Sequence, residues 1–124
     1  MITGTVTDDE ATVRLVVKGS SGKVQEVRAV IDTGYTASLS LPPVVSAALD
    51  LPWQSFDRAI LADGSECLFD VFEAEVDWDG GVRQVLVHEA DAEPLIGMSL
   101  LRGFELKVQV RNRGKVTIKR LPTR

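Results

Sequence analysis

Ala29-Val30-Ile31-Asp32-Thr33-Gly34 runs three apolar residues straight into a carboxylate, a hydroxyl and a glycine. The apolar run predicts a strand that stays buried to its last residue. Asp32 then emerges at a buried strand end, where loss of water perturbs the proton affinity of a carboxylate. Asp-Thr-Gly alone is a weak signal, because three residues match by chance and a solvated turn after a strand accounts for them. Its surroundings add weight. Upstream, residues 11–18 are rich in β-branched side chains and stop at the turn cluster Gly19-Ser20-Ser21-Gly22. Residues 23–31 follow, with Gln25, Val27, Ala29 and Ile31 on one side and the mixed set Val24, Glu26, Arg28 and Val30 on the other. The two runs predict a hairpin that leads into Asp32.

Downstream, Leu39 and Leu41 alternate with Ser38 and Ser40 within residues 35–41, the pattern of a half-buried strand with its serines outward. Pro42-Pro43 opens a short helix, since a proline's missing N–H costs nothing in a first turn. Val44, Val45, Ala48 and Leu49 form its expected apolar stripe, and Pro52 ends it. Residues 59–61, the turn Ala62-Asp63-Gly64-Ser65 and the run 66–78 predict a second hairpin. Asp-Gly favours a two-residue turn with both central residues at positive φ. Phe72, Ala74, Val76 and Trp78 alternate with Glu73, Glu75 and Asp77, so this strand has one wet face. Asp79-Gly80-Gly81 turns the chain into a strand over 82–89. Leu95-Ile96-Gly97 then leads to one or two helical turns over 98–102, stopped by Gly103. Residues 104–110 and 115–119 flank Asn112-Arg113-Gly114 as a last hairpin. The sum is an all-β, mainly antiparallel fold with one or two short helices.

The two apolar-glycine segments together resemble a known family. Ala29-Val30-Ile31-Asp32-Thr33-Gly34 is similar to the active-site loop of the retropepsin-like aspartic proteases. Pro94-Leu95-Ile96-Gly97-Met98-Ser99-Leu100-Leu101 resembles the segment and short helix near the end of those enzymes. Tyr35 and Leu39-Ser40-Leu41-Pro42 resemble the small bacterial and archaeal members most. The resemblance implies an acid-protease barrel and an aspartic endopeptidase in which Asp32 is catalytic. It implies that Thr33 hydrogen-bonds across a two-fold axis and that Gly34 lets backbones pass closely. Leu95, Ile96 and Gly97 would pack behind the loop. Tyr35 would border the substrate, and Ala62, Asp63, Gly64 and Ser65 would form the tip of a flap over an extended polypeptide bound as an added strand.

Stoichiometry follows from the chemistry. Hydrolysis by this route needs two carboxylates sharing a proton, a general property of aspartic proteases, and the chain holds no second Asp-Thr-Gly or Asp-Ser-Gly. A homodimer with an isologous interface supplies the partner. Tyr35 departs from the small residue of viral enzymes, and the terminal hairpin is longer than theirs. A non-catalytic peptide-binding or dimerisation module that retains the fold is therefore the alternative, and a monomer awaiting a partner chain the third.

The 124 residues fit a single domain spanning 1–124 with a modest core. The apolar and charged fractions, 44% and 26%, are those of a globular protein. A net charge of -4 and a pI near 4.9 argue against nucleic acid as a partner, despite a basic stretch after residue 102. No run approaches membrane-span length and the start lacks a signal-peptide pattern, so a cytoplasmic protein with no membrane partner is expected. The lone Cys67 excludes an internal disulfide framework, and no metal or other cofactor is expected. The single His88 reads as a surface or half-buried strand residue, Cys67 as a small core or edge residue, and Asp8-Asp9-Glu10 as a solvated turn. Trp53, Phe56 and Trp78 read as core or dimer packing.

Overall fold

In a computed structural model, which describes residues 1–123, ten strands and two short helices follow one another along the chain. They are β1 (Ile2–Thr7), β2 (Glu10–Lys18), β3 (Val24–Ile31), β4 (Leu39–Leu41), α1 (Pro43–Ala48), β5 (Trp53–Ile60), β6 (Glu66–Trp78), β7 (Gly81–Glu89), β8 (Leu95–Ile96), α2 (Met98–Leu101), β9 (Phe104–Val108) and β10 (Lys115–Arg120). All pair into one sheet in the order β5-β6-β7-β4-β8-β3-β2-β1-β10-β9. A further pairing of Val17 and Lys18 in β2 with Val76 and Glu75 in β6 closes β2, β3, β8, β4, β7 and β6 into a ring. Most neighbours are antiparallel; β3–β8 and β4–β7 are parallel.

Alternation fixes which face points inward, since a one-residue slip would turn every side chain over. Val13, Leu15 and Val17 of β2 and Val27 and Ala29 of β3 meet Ala74, Val76 and Trp78 of β6, Val85 and Val87 of β7, and Ile96 in one core. Glu73, Glu75 and Asp77 face water as the alternation requires. Asp79 and Gly80, at φ 52° and 81°, make the tight β6–β7 turn opposite the pair Trp78–Gly81. Asp8 and Asp9 do the same between β1 and β2.

Two local expectations are corrected. The 35–41 strand shrinks to Leu39–Leu41, and all three residues are buried, Ser40 included at 4% exposure. β4 lies between β7 and β8 and is covered on both faces, so its serine is no surface residue. In α1, Val45, Ser46 and Leu49 are buried whereas Val44 and Ala48 face solvent. A six-residue helix seats a single i, i+4 row. Of the three aromatics expected in core or dimer packing, Trp78 is core, while Trp53 and Phe56 are 55% and 64% exposed on β5 of the single chain. Cys67 is exposed on β6, opposite Ala59 of β5, so it is no core residue. No helix among the described residues is long and apolar enough to cross a membrane.

Candidate active site

β3 delivers Asp32 to a crossing of two chain segments. Val30 and Ile31 run parallel to Leu95 and Ile96, and the Asp32 amide extends that ladder by donating to the Ile96 carbonyl at 2.9 Å. The chain then folds back on the carboxylate. Tyr35 N–H donates to the Asp32 carbonyl at 3.1 Å, and Gly34 N–H donates to Asp32 Oδ1 at 2.9 Å. Asp32 is half-buried, whereas Thr33 and Gly34 are exposed at the tip of the loop.

The segment behind the loop fits it closely. Ile96 is fully buried and Leu95 half-buried. Gly97 N–H donates to Ser38 O (3.0 Å), Met98 N–H to Tyr35 O (2.8 Å) and Ser99 N–H to Ala37 O (3.2 Å). A Cβ at Gly97 would run into the Ala37 carbonyl oxygen and stand 2.6 Å from Tyr35 O and 2.7 Å from Tyr35 Cδ2. The glycine there is a demand for space, since its φ of -104° suits any residue. Asp32, Thr33, Gly34, Tyr35, Leu95, Ile96 and Gly97 thus form one assembly held by backbone hydrogen bonds.

Residues 62–65, expected as a flap tip, stand apart from it. β5 and the first part of β6 form a hairpin with few buried side chains, and its register shifts between Trp53 and Ser55. At its tip Gly64 N–H donates to Leu61 O (2.9 Å) and Leu61 N–H to Ser65 O (2.8 Å). Only Gly64, at φ 85°, takes positive φ, so Asp63-Gly64 is not the expected two-residue turn. It is a three-residue loop, a type I turn followed by a left-handed glycine. Asp63 Oδ1 accepts from the Ser65 hydroxyl (2.6 Å) and amide (2.9 Å), and these bonds lower its pKa.

Between hairpin and ring opens a cleft of about 730 Å³, lined by Tyr35, Leu68, Phe69, His88 and Leu95 and edged by Asp57, Arg58, Asp70, Glu89 and Asp91. Tyr35 and Leu95 reach this cleft; Asp32, Thr33, Gly34 and the tip residues 62–65 do not line it. A second cavity, about 550 Å³, lies by Lys18, Gly22, Glu73 and Gln84 and shares no residue with the loop. Sequence reasoning passed over His88 as a site residue. Its ring packs edge-on to Tyr35, centroids 6.0 Å apart, and 4.9 Å from Phe69. The link is the parallel β4–β7 pairing, which sets Ser40 beside His88 and has no local signature.

Both rings titrate away from their ordinary values. Burial pushes the Tyr35 phenol up to about 12, and its hydroxyl donates to Leu39 O at 3.3 Å. As the chain has one tyrosine, an ultraviolet titration reads this residue alone, and its midpoint is expected near 12 in the folded protein. The neutral phenol's contribution to stability is complete below pH 10 and disappears between 10 and about 12. A midpoint at the ordinary value would place the ring in water. His88 shifts below 6.5, because burial disfavours the imidazolium more than Asp57 favours it. Its stabilising effect is whole above pH 6.5 and is lost as pH falls from there through the lowered folded-state value. The sole histidine signal in NMR should therefore titrate below 6.5.

No family profile and no curated protein sequence matches the chain. Solved structures do. The protease of EIAV, in complex with the inhibitor HBY-793, superposes with a TM-score of 0.56 over 78% of this chain and 92% of its own, at 14% identity. A retropepsin-like aspartic protease from Rickettsia conorii gives 0.56 over 93% of this chain and 87% of its own, at 15% identity. The fold is retropepsin-like, all-β with two short helices.

Proposed function

We propose that this chain is one subunit of a homodimeric aspartic endopeptidase and that Asp32 is its catalytic carboxylate. The carrying observation is the crossing itself: a loop with a single carboxylate, tied by its own amide to Ile96 O, in a fold shared with aspartic proteases. One such loop per chain gives half a site.

In the dimer the two Asp32 carboxylates share one proton, since two like charges about 3 Å apart cannot both ionise. The ionised member takes a proton from water as the water oxygen attacks the scissile carbonyl. The protonated member gives its proton to the carbonyl oxygen, so the pair's charge is unchanged as the tetrahedral intermediate forms. The Gly34 amide holds Oδ1 in place, so the geometry is set before substrate arrives. Thr33 spans the axis to the opposite loop. An extended peptide lies across the two carboxylate loops with residues 62–65 closing over it, and its flanking side chains reach the cleft by way of Tyr35 and Leu95. The acids at the cleft edge outnumber Arg58 there, which favours basic residues beside an apolar or aromatic one in the substrate.

Cleavage of a peptide library by the wild-type protein across acid to neutral pH, lost on Asp32→Asn, is the expected result. Cleavage that persists in that variant would sink the assignment. Tyr35 favours a second reading, a peptide-binding module without catalysis. Its ring lies against Gly97 and walls the cleft beside the carboxylate loop. That reading requires peptide binding that Asp32→Asn leaves intact and no cleavage at any pH.

A further inference from the structure

The cleft beside the carboxylate loop has a polar floor. Leu95, Ser40 and His88 stand side by side in one row across β8, β4 and β7. Residues paired in this way point to the same face, so the Ser40 hydroxyl and the His88 imidazole both turn into the cleft that they line. Ser40 is 4% exposed, and its hydroxyl has no hydrogen-bond partner among the described residues. Nor is it sealed in: among the described residues only Trp78 Nε1 is a side-chain polar atom both closed off and unpaired. The half-buried His88 ring has no hydrogen-bond partner there either. Polar groups so placed cost free energy while they lack partners, and a ligand that pairs them removes that cost.

The facing wall comes from the β5–β6 hairpin. Phe69 packs 4.9 Å from His88, centroid to centroid, which identifies the hairpin face turned toward the cleft. Asp57 is the cross-strand partner of Phe69 and shares that face, whereas Arg58, Leu68 and Asp70 alternate to the other. On that other face Asp70 accepts from Trp53 Nε1 at 2.9 Å, and Arg58 lies 3.5 Å from Glu66. Glu89 alternates with His88, and its carboxylate accepts from the buried Ser46 hydroxyl of α1. Asp57 is thus the charged side chain that the hairpin turns toward His88, near enough to favour its imidazolium. One Asp57 oxygen takes the Arg58 amide at 2.8 Å, and the other is free.

We propose that this cleft receives an arginine side chain of the bound peptide, and that Asp57, with Ser40 and His88, determines this specificity. The inference rests on the protease reading for the peptide and names what that peptide presents. A guanidinium offers N–H donors and no acceptor, and each of these polar groups can accept: the carboxylate, the hydroxyl and the unprotonated ring nitrogen. At pH 7 the imidazole is neutral, because burial holds its pKa below 6.5, so it adds an acceptor and no repulsion. The flat guanidinium also suits the rings of Tyr35 and Phe69, which both pack on His88. Its methylene stem runs past Leu95 and Tyr35, which join the carboxylate loop to the cleft. An acidic side chain would meet Asp57 with like charge. An aliphatic one would leave Ser40 and His88 unpaired, which a polar site rejects. Because Asp57 rides on the hairpin while Ser40 and His88 belong to the ring, the pocket is complete only where the two meet.

The test is a set of extended peptides in which each position in turn carries arginine or citrulline, its uncharged counterpart of equal length. Binding is read by fluorescence anisotropy on the Asp32→Asn protein, and cleavage by wild type as kcat/KM. At one position arginine should bind about ten-fold more tightly than citrulline, as a hydrogen-bonded charge pair requires. Adding Asp57→Asn should bring the two within about two-fold of each other, and Asp57→Lys should reverse the order. Ser40→Ala should weaken arginine binding about three-fold. Asp57 is exposed, so its replacement leaves the core untouched, and circular dichroism checks each variant. No binding by any peptide, equal binding of arginine and citrulline at every position, or a preference that survives Asp57→Asn would overturn the pocket. If arginine is preferred through Asp57 but wild type cuts nothing, the pocket stands and the protease reading falls. If cleavage needs Asp32 yet ignores the exchange of arginine for citrulline, the protease reading stands and the pocket falls.

Discussion

Replacing Asp32 with asparagine is expected to lower peptide hydrolysis about ten-thousand-fold or more while the protein stays folded and self-associates as before. One positioned proton-transfer group contributes up to about that factor, and in the proposed dimer the substitution removes both the base and the acid, one from each subunit. Asn keeps an oxygen where Asp32 Oδ1 accepts the Gly34 amide, so the loop retains its internal bond. Asp32→Ala loses that acceptor as well and should cost about 1 kcal/mol of stability beyond the loss of rate. Mixing sharpens the result. When wild-type and Asp32→Asn subunits exchange in equal amounts, only about a quarter of dimers carry both carboxylates, so activity should fall to about a quarter of that of undiluted wild type and not to half. A linear fall with the fraction of variant would mean that one carboxylate suffices, and the shared-proton mechanism would be wrong. The wild-type rate should also be bell-shaped in pH, because the singly protonated pair exists only between its two macroscopic ionisations.

What the sequence reveals of this fold depends on how many faces of each strand are covered. β2, β3 and the inner half of β6 bury one side only. Their alternation gave the hairpin into Asp32 and the wet row Glu73, Glu75 and Asp77. β4 is covered on both faces and β5 on almost none, so neither carries a period-two signal that matches its place. That is why Ser40 reads as surface, and why the strand that Trp53 and Phe56 open was seen only at its far end, near residues 59 and 60. β1, with Gly4 and three threonines, has little apolar content to betray it, yet it pairs with both β2 and β10. The candidate site divides in the same way. Asp32-Thr33-Gly34 and Leu95-Ile96-Gly97 were legible as two segments, but their contact is a parallel pairing across more than sixty positions, which no local pattern encodes. His88 reaches the cleft through the other parallel pair and was invisible for the same reason.

Gly97→Ala should be the most destabilising single-methyl change near the site, lowering stability by about 3 kcal/mol or more and the melting temperature by about 10 °C or more. Conformation is not the cause, because φ at Gly97 is -104°. The added carbon meets backbone: it collides with the Ala37 carbonyl oxygen and stands 2.6 Å from that of Tyr35. Neither can swing aside as a side-chain tip would. Relief requires the segment 35–38 to retreat, and that stretches the bonds from Gly97 N–H to Ser38 O, Met98 N–H to Tyr35 O and Ser99 N–H to Ala37 O, each worth about 1 kcal/mol. Gly64→Ala is the control with the opposite balance. Nothing lies within 4 Å of its added carbon, but φ is +85°, so only the left-handed penalty of about 1 kcal/mol applies, and the β5–β6 hairpin tip bears it alone. Thermal melts of the two variants therefore separate a spatial demand from a conformational one. If Gly97→Ala melts within a degree or two of wild type, the segment behind Asp32 has room to spare and the carboxylate is not held by the β8 crossing. If it melts far below Gly64→Ala, the residues that present Asp32 depend on the absence of one carbon atom at position 97.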